Sequence, residues 1–310
     1  MLCVADGSCA SVNYKTSGIG KGLCELNSKT LTQETSKAHE FNHLYVIKKK
    51  YPETIPSSTP PKSQNLSKTI EDLLPSCKEV LKRNSSLSNG VYKLRNNESL
   101  EEYSVYCHMT EIPGCGTGGW TLVMKMDGNK NDFSYISHYW TNKETYAVED
   151  GLEGLNEKQT KLASYWNTPF KKICLGMKVN GATKWILIGH QASSLFNIIA
   201  GGNFIATTIE KNAWKSLVKD SNLQNNCNQQ GFNIDNGNIH YAFAYNNVRI
   251  GLVANNQNDC ESCDSCIGFG TSVRGCDGDV RNSACGNIMA FCTDPKNDKD
   301  TAAFGYILVQ

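Results

Sequence analysis

Residues 114–128 read GCGTGGWTLVMKMDG. Gly114, Gly116, Gly118 and Gly119 surround Cys115 and end at Trp120, after which Thr121-Leu122-Val123-Met124 is an apolar run. Glycine admits positive φ and close backbone approach, so the knot predicts a tight turn feeding a strand. A tryptophan at the junction predicts a core anchor.

Working outward, Asn89-Gly90-Val91-Tyr92-Lys93-Leu94 and Val105-Tyr106-Cys107-His108-Met109 precede the knot. The order NGVYKL, VYCHMT, GGWTLV, DG resembles the opening of a fibrinogen C-terminal-like domain, over residues 76–140. That resemblance implies an α+β fold over residues 68–310, with a mixed, mainly antiparallel sheet and long disulfide-tied loops. It also implies a bridge from Cys77 to Cys107. Phe133, Tyr135, Tyr139 and Trp140 stand where the family carries a DF-x-x-x-W segment. Large rings pack before they bind, so most of them read as core and a minority as lining for a sugar cleft.

Short apolar runs at Leu122–Met126, Cys174–Val179, Trp185–Gly189 and Ala242–Ala244, set among Gly and Asn punctuation, predict strands. Leu155, Gln159, Leu162 and Trp166 recur at helical spacing and predict a helix over 155–166. Ser76 is placed to cap a short helix over Cys77–Arg83. The closing run Ala303–Val309 predicts a strand in the centre of the sheet.

The chain has 310 residues, with 31 Lys plus Arg against 30 Asp plus Glu. Neither nucleic-acid binding nor mineral templating by charge alone follows from such a balance. No run approaches the roughly 18 apolar residues of a membrane helix. Fourteen cysteines and three N-x-S/T sequons, at Asn65, Asn84 and Asn97, point to a secreted, disulfide-bonded glycoprotein. Met1-Leu2-Cys3 lacks the basic and apolar regions of a signal peptide, so the start reads as that of a mature chain or a fragment.

Cys3, Cys9 and Cys24, with the strand-like Ala10–Tyr14 between the last two, resemble the second half of a PAN/apple domain over residues 1–47. The resemblance implies a Cys3–Cys9 pair, a helix partner for Cys24 upstream of Met1, and a last strand running into Leu44–Ile47. Spacing alone also fits a generic small disulfide loop. Residues 48–67 hold four prolines (Pro52, Pro56, Pro60, Pro61) among Ser, Thr and Lys, the composition of an extended linker. His39-Glu40-x-x-His43 matches a zinc-protease motif. The extension of the longer motif is missing, with Val46 and Lys49 in its places, and a proline-rich spacer follows instead of a catalytic domain.

Residues 249–292 depart from the ordinary fibrinogen pattern and lean toward the intelectin branch, with Cys260 and Cys266-Ile267-Gly268 at the segment edges. The branch's sugar-contacting histidines are absent. Cys260, Cys263 and Cys266 fit zinc thiolates or disulfides, and the oxidising compartment favours disulfides, with Cys276, Cys285 and Cys292 as partners. Asp259, Glu261, Asp264, Asp277 and Asp279 would supply carboxylates to calcium, or form a solvated acidic loop.

No nucleophile elbow, phosphate loop or dinucleotide fingerprint occurs, and the chain reads as non-enzymatic. The combined modules resemble secreted proteins of stony-coral skeletal organic matrix. That implies an extracellular matrix protein binding glycans or matrix glycoproteins, with calcium assisting. The alternative is an adhesive matrix component, cross-linked as a disulfide-linked oligomer. If Cys3 pairs with Cys9 and Cys77 with Cys107, and Cys24 lacks its partner, nine cysteines remain (14 − 4 − 1), an odd number.

Overall fold

The computed structural model describes residues 11–15, 24–27, 41–45, 73–236, 245–260, 263, 265–274, 280–289 and 299–310. The chain divides into two compact units, Met1–Lys68 and Thr69–Gln310.

In the first unit, β1 (Ser11–Lys15) is the middle strand of an antiparallel sheet, between β2 (Cys24–Asn27) and β3 (Phe41–Tyr45). His43 stands on β3 opposite Asn13. The zinc-protease motif needs its two histidines on one helix face, and a strand does not provide that. His39 and Glu40 lie outside the described residues, as do Cys3, Cys9 and Asn65.

The second unit begins with α1 (Cys77–Arg83), where Ser76 Oγ accepts from Glu79 N at 3.3 Å, the expected cap. There follow β4 (Gly90–Arg95), β5 (Glu102–His108), β6 (Trp120–Asp127), α2 (Val148–Leu152), β7 (Thr160–Lys161), α3 (Ser164–Asn167), β8 (Phe170–Val179), β9 (Ala182–Ala192) and α4 (Leu195–Ile199). Then come β10 (Ile205–Ala206), α5 (Lys211–Ser216), β11 (Asn226–Asp235), β12 (Tyr245–Asn255), β13 (Ser265–Arg274), β14 (Val280–Met289), β15 (Lys299–Ala302) and β16 (Phe304–Val309).

One sheet runs β4-β5-β6-β16-β8-β9, with β7 paired to β6. The other is the meander β10-β11-β12-β13-β14-β15. Every strand pair among the described residues is antiparallel, so the expected mixed sheet gives way to two antiparallel ones. The closing strand is central, between β6 and β8. Tyr306 and Leu308 enter the core on one face, and Ile307 and Val309 enter the core shared with the second sheet, so the run is apolar throughout. Trp120, Phe133 and Trp140 are fully buried.

The expected helix over 155–166 is not formed. Thr160 and Lys161 pair with β6, Lys161 exchanges backbone hydrogen bonds with Tyr146, and only Ser164–Asn167 is helical. Periodic Leu155, Leu162 and Trp166 are brought inward by this turn-strand-turn path, so tertiary pairing overrides the local pattern. The Ala242–Ala244 strand lies outside the described residues.

A row of small residues crosses the second sheet. Ala206, Gly231, Gly251, Gly268, Gly286 and Ala302 stand opposite one another, one per strand. A β-carbon on Gly231, Gly251, Gly268 or Gly286 would meet a neighbouring strand's carbonyl oxygen at 2.0, 2.3, 2.4 or 2.2 Å.

Candidate functional site

Three disulfides tie the second unit among the described residues: Cys77–Cys107, Cys115–Cys174 and Cys227–Cys260. The first joins α1 to β5, and Cys77 N also donates to Thr121 Oγ1 on β6 at 3.1 Å. The glycine knot makes room for this docking. A β-carbon on Gly118 would stand 1.7 Å from Met109 O. Gln310, just past β16, closes against the knot: its Nε2 donates to Thr117 O at 3.0 Å and to Gly118 O at 2.8 Å. Its backbone oxygen accepts from Lys171 N and Lys172 N at the start of β8.

These contacts build a groove of about 970 Å³ between α1, the start of β8, the end of β9 and Gln310. Lys78, Lys82, Lys171 and Lys172 line it, against one acidic side chain, Glu79. Glu79 is engaged with Lys82 at 2.7 Å. Among the described residues no carboxylate lies in salt-bridge reach of Lys78, Lys171 or Lys172.

Asn97, Pro169 and Ser193 line both this groove and a second, polar pocket of about 290 Å³. Lys143, Trp166, Asn167 and Asn197 belong to that pocket. Trp166 Nε1 donates to Glu101 Oε2 at 3.4 Å, and its ring stands 5.6 Å from the buried Lys161 ammonium. Asn197 Nδ2 donates to Ser193 Oγ at 2.6 Å. Asn167 is 2% exposed and its backbone oxygen accepts from Asn96 Nδ2 at 2.9 Å. Its own Nδ2 has no acceptor among the described residues. A buried amide N–H left without an acceptor costs about 1–3 kcal/mol.

The residues singled out in the sequence are dispersed. Asn84 and Asn97 are exposed, as carriers of glycans must be, and Asn97 is on the groove rim. Of the five acids assigned to calcium, Glu261, Asp264, Asp277 and Asp279 lie outside the described residues. Asp259 Oδ1 accepts from Asn255 Nδ2 at 3.2 Å. Asp259 is the one of these five acids among the described residues.

The C-x2-C-x2-C triplet is also divided. Cys260 is bonded to Cys227 on β11, not to Cys276, Cys285 or Cys292, and Cys266 is buried on β13. Cys285 is a buried thiol in the core between the sheets. Cys276 and Cys292 lie outside the described residues. Nothing in the spacing of Lys78, Lys171, Lys172 and Gln310 announces the groove, since the fold alone assembles it. A fainter signal existed for the buried amines: Lys125 interrupts an apolar strand, where only a fully bonded lysine is tolerated.

No family model matches the chain, and no curated protein matches it. Among solved structures it is similar to the "Fibrinogen-like globe domain of human ANGPTL2", at 18% identity and a TM-score of 0.27. The matched part covers 44% of this chain and 53% of that one, so the chain spans about half the length of the structure it matches. A likeness of that size carries no argument about family or ligand, and the groove stands on its own geometry.

Proposed function

We propose that this chain is a secreted, non-enzymatic recognition module of an extracellular matrix, and that its lysine-lined groove and the adjoining Trp166 pocket bind an anionic glycan. The observation that carries this reading is Asn167. Among the described residues its buried side-chain N–H has no acceptor, and Asn167 lines a polar pocket that shares Asn97, Pro169 and Ser193 with the groove of four lysines. Sulfate or carboxylate groups would meet Lys78, Lys171 and Lys172, while a sugar oxygen would accept from Asn167. The order of motifs over residues 76–140 supports an extracellular module of fibrinogen type.

The test is retention on immobilised chondroitin sulfate, with dextran as the uncharged comparison. The full chain is expected to be retained at low salt and to elute earlier as the double variant K171Q/K172Q. Equal behaviour on the two matrices, or an unchanged elution salt in the variant, rejects the groove. A parallel titration with calcium reads heat and melting temperature. Saturable binding would restore calcium to the acidic loop, and silence would remove it without touching the groove.

A second reading is a structural, cross-linked matrix component. The three sulfur atoms of Cys227, Cys260 and Cys263, within 4.8 Å of one another, favour it.

A further inference from the structure

The Cys227–Cys260 bridge has a third sulfur against it. The buried Cys263 thiol donates to Cys227 Sγ at 3.5 Å and is also 3.5 Å from Cys260 O. Asn236 Nδ2 donates to Cys263 Sγ at 3.5 Å, a contact that favours negative charge on the sulfur. Cys263 is held from its backbone too, where Asn246 Nδ2 donates to its carbonyl oxygen. On the other side, Cys227 and Asn228 form a bulge in β11, where the register with β12 shifts between Asn226 and Gln229. Both have φ of 60°, a conformation that a non-glycine residue keeps only when its surroundings impose it. The bulge turns Cys227 out of the regular ladder and toward Cys260 and Cys263, which lie between β12 and β13.

We infer that this cluster is a disulfide-exchange site, which passes a thiol from the buried Cys263 to the partly exposed Cys260 and presents it to a partner's disulfide. The Cys263 thiolate attacks Cys227 Sγ, the bridge sulfur 3.5 Å away. The Cys227–Cys263 bond forms, the Cys227–Cys260 bond breaks, and Cys260 leaves as thiolate. The proton lost by Cys263 ends on Cys260, so the internal step has no net oxidation and needs no oxidant. In the second step Cys260 attacks an external disulfide, forming one mixed disulfide and releasing one thiol. The co-reactant is therefore a disulfide-bearing molecule, whether small or a second copy of this chain. Both steps go through thiolates, so the exchange accelerates as the pH rises toward the thiol pKa. The chemistry is independent of the groove and holds whether or not a glycan binds there.

The probe is dithionitrobenzoic acid, an aromatic disulfide, added in excess to the native full chain at pH 8. The sample is then acidified and digested without reductant. Cleavage after Glu261 separates Cys260 from Cys263. The expected product carries thionitrobenzoate on Cys260 and a new Cys227–Cys263 bridge. In C263S the Cys227–Cys260 bridge stays intact and Cys260 is unlabelled. In C260S the Cys227–Cys263 bridge forms during production, which checks the geometry even if C263S folds poorly. An intact Cys227–Cys260 bridge in the treated native protein overturns the inference, as does label on Cys263 itself. So does a C260S protein in which Cys227 and Cys263 stay reduced.

Discussion

Gly119 lies directly beneath Lys78: a β-carbon built on the glycine would stand 2.9 Å from the Lys78 Cα, at a φ of +91°. The first helix of the second unit thus rests on the bare backbone of the glycine knot. Three substitutions in the knot are expected to rank by what they meet. G116A has a φ of +89° and nothing within 4 Å, so it costs only conformational strain, about 1–2 kcal/mol. G119A adds a clash with helix backbone. G118A is the most severe, about 3 kcal/mol or more, since it meets the backbone of Met109, just past the end of β5, at 1.7 Å. Urea midpoints of the three variants check the order, and a G118A protein as stable as G116A would show that the knot does not set the docking.

Two buried lysines predict how stability varies with pH. Desolvation brings Lys161 from 10.5 down to about 7, opposed by Glu144. The same cause brings Lys125 from 10.5 to about 8, opposed by Asp150 and Glu153. Lys161 Nζ donates to Asn142 O and Oδ1, both at 2.8 Å, and lies 4.5 Å from the Tyr165 ring centre. Above pH 7 the unfolded chain therefore binds more protons than the folded one, and stability rises with pH. Burial pushes the Cys266 and Cys285 thiols up from 9.0 and the Tyr103, Tyr165 and Tyr306 hydroxyls up from 10.0, so above about pH 9 the unfolded chain gives up these protons first, which offsets the lysine rise and then overtakes it. Chemical denaturation from pH 6.5 to 10 should show this maximum, with a shallower rise below pH 9 in K161M. An equal slope in K161M would mean that Lys161 keeps its proton.

Removing the Cys115–Cys174 bridge is expected to cost about 4 kcal/mol for a closed loop of its size. The bridge spans 59 residues and fixes the knot to β8, and thus to one wall of the groove. The double variant C115S/C174S should melt lower by calorimetry and also lose retention on chondroitin sulfate. Loss of stability with unchanged retention would show that the groove forms without that staple.

A glycan on Asn97 would stand at the shared rim of groove and pocket, whereas Asn84 lines a separate hollow with Leu87 and Tyr92. Material from a glycosylating host is expected to bind chondroitin sulfate more strongly as N97Q and unchanged as N84Q. Mass spectrometry of each confirms which site carries sugar. Equal elution of a glycosylated wild type and N97Q would place the binding surface elsewhere.

The parts of the fold legible from residues were those fixed locally. Ser76 announced its helix, Trp120 its burial, and the unbroken apolar run at Phe304–Val309 a strand covered on both faces. The segment Leu155–Trp166 misled because its apolar spacing is helical while Thr160 and Lys161 are claimed by β6 and Tyr146. The groove was invisible, because Lys78 and Lys171 are far apart in the chain and meet only through a disulfide, a glycine knot and Gln310. Cys260 was read with its sequence neighbours, but a bulge on β11 delivered Cys227 instead.

The small-residue row of the second sheet turns four scattered codons into one hereditary target. Positions 231, 251, 268 and 286 belong to four different strands, yet an added methyl at any of them strikes a main-chain oxygen next door. A compensating change beside one of them cannot help, because the obstacle is backbone that every sequence shares. Lineages of this chain are therefore expected to keep glycine along that whole line, while Gly116, Gly181 and Gly202, with nothing within 4 Å, drift to residues such as asparagine that tolerate positive φ.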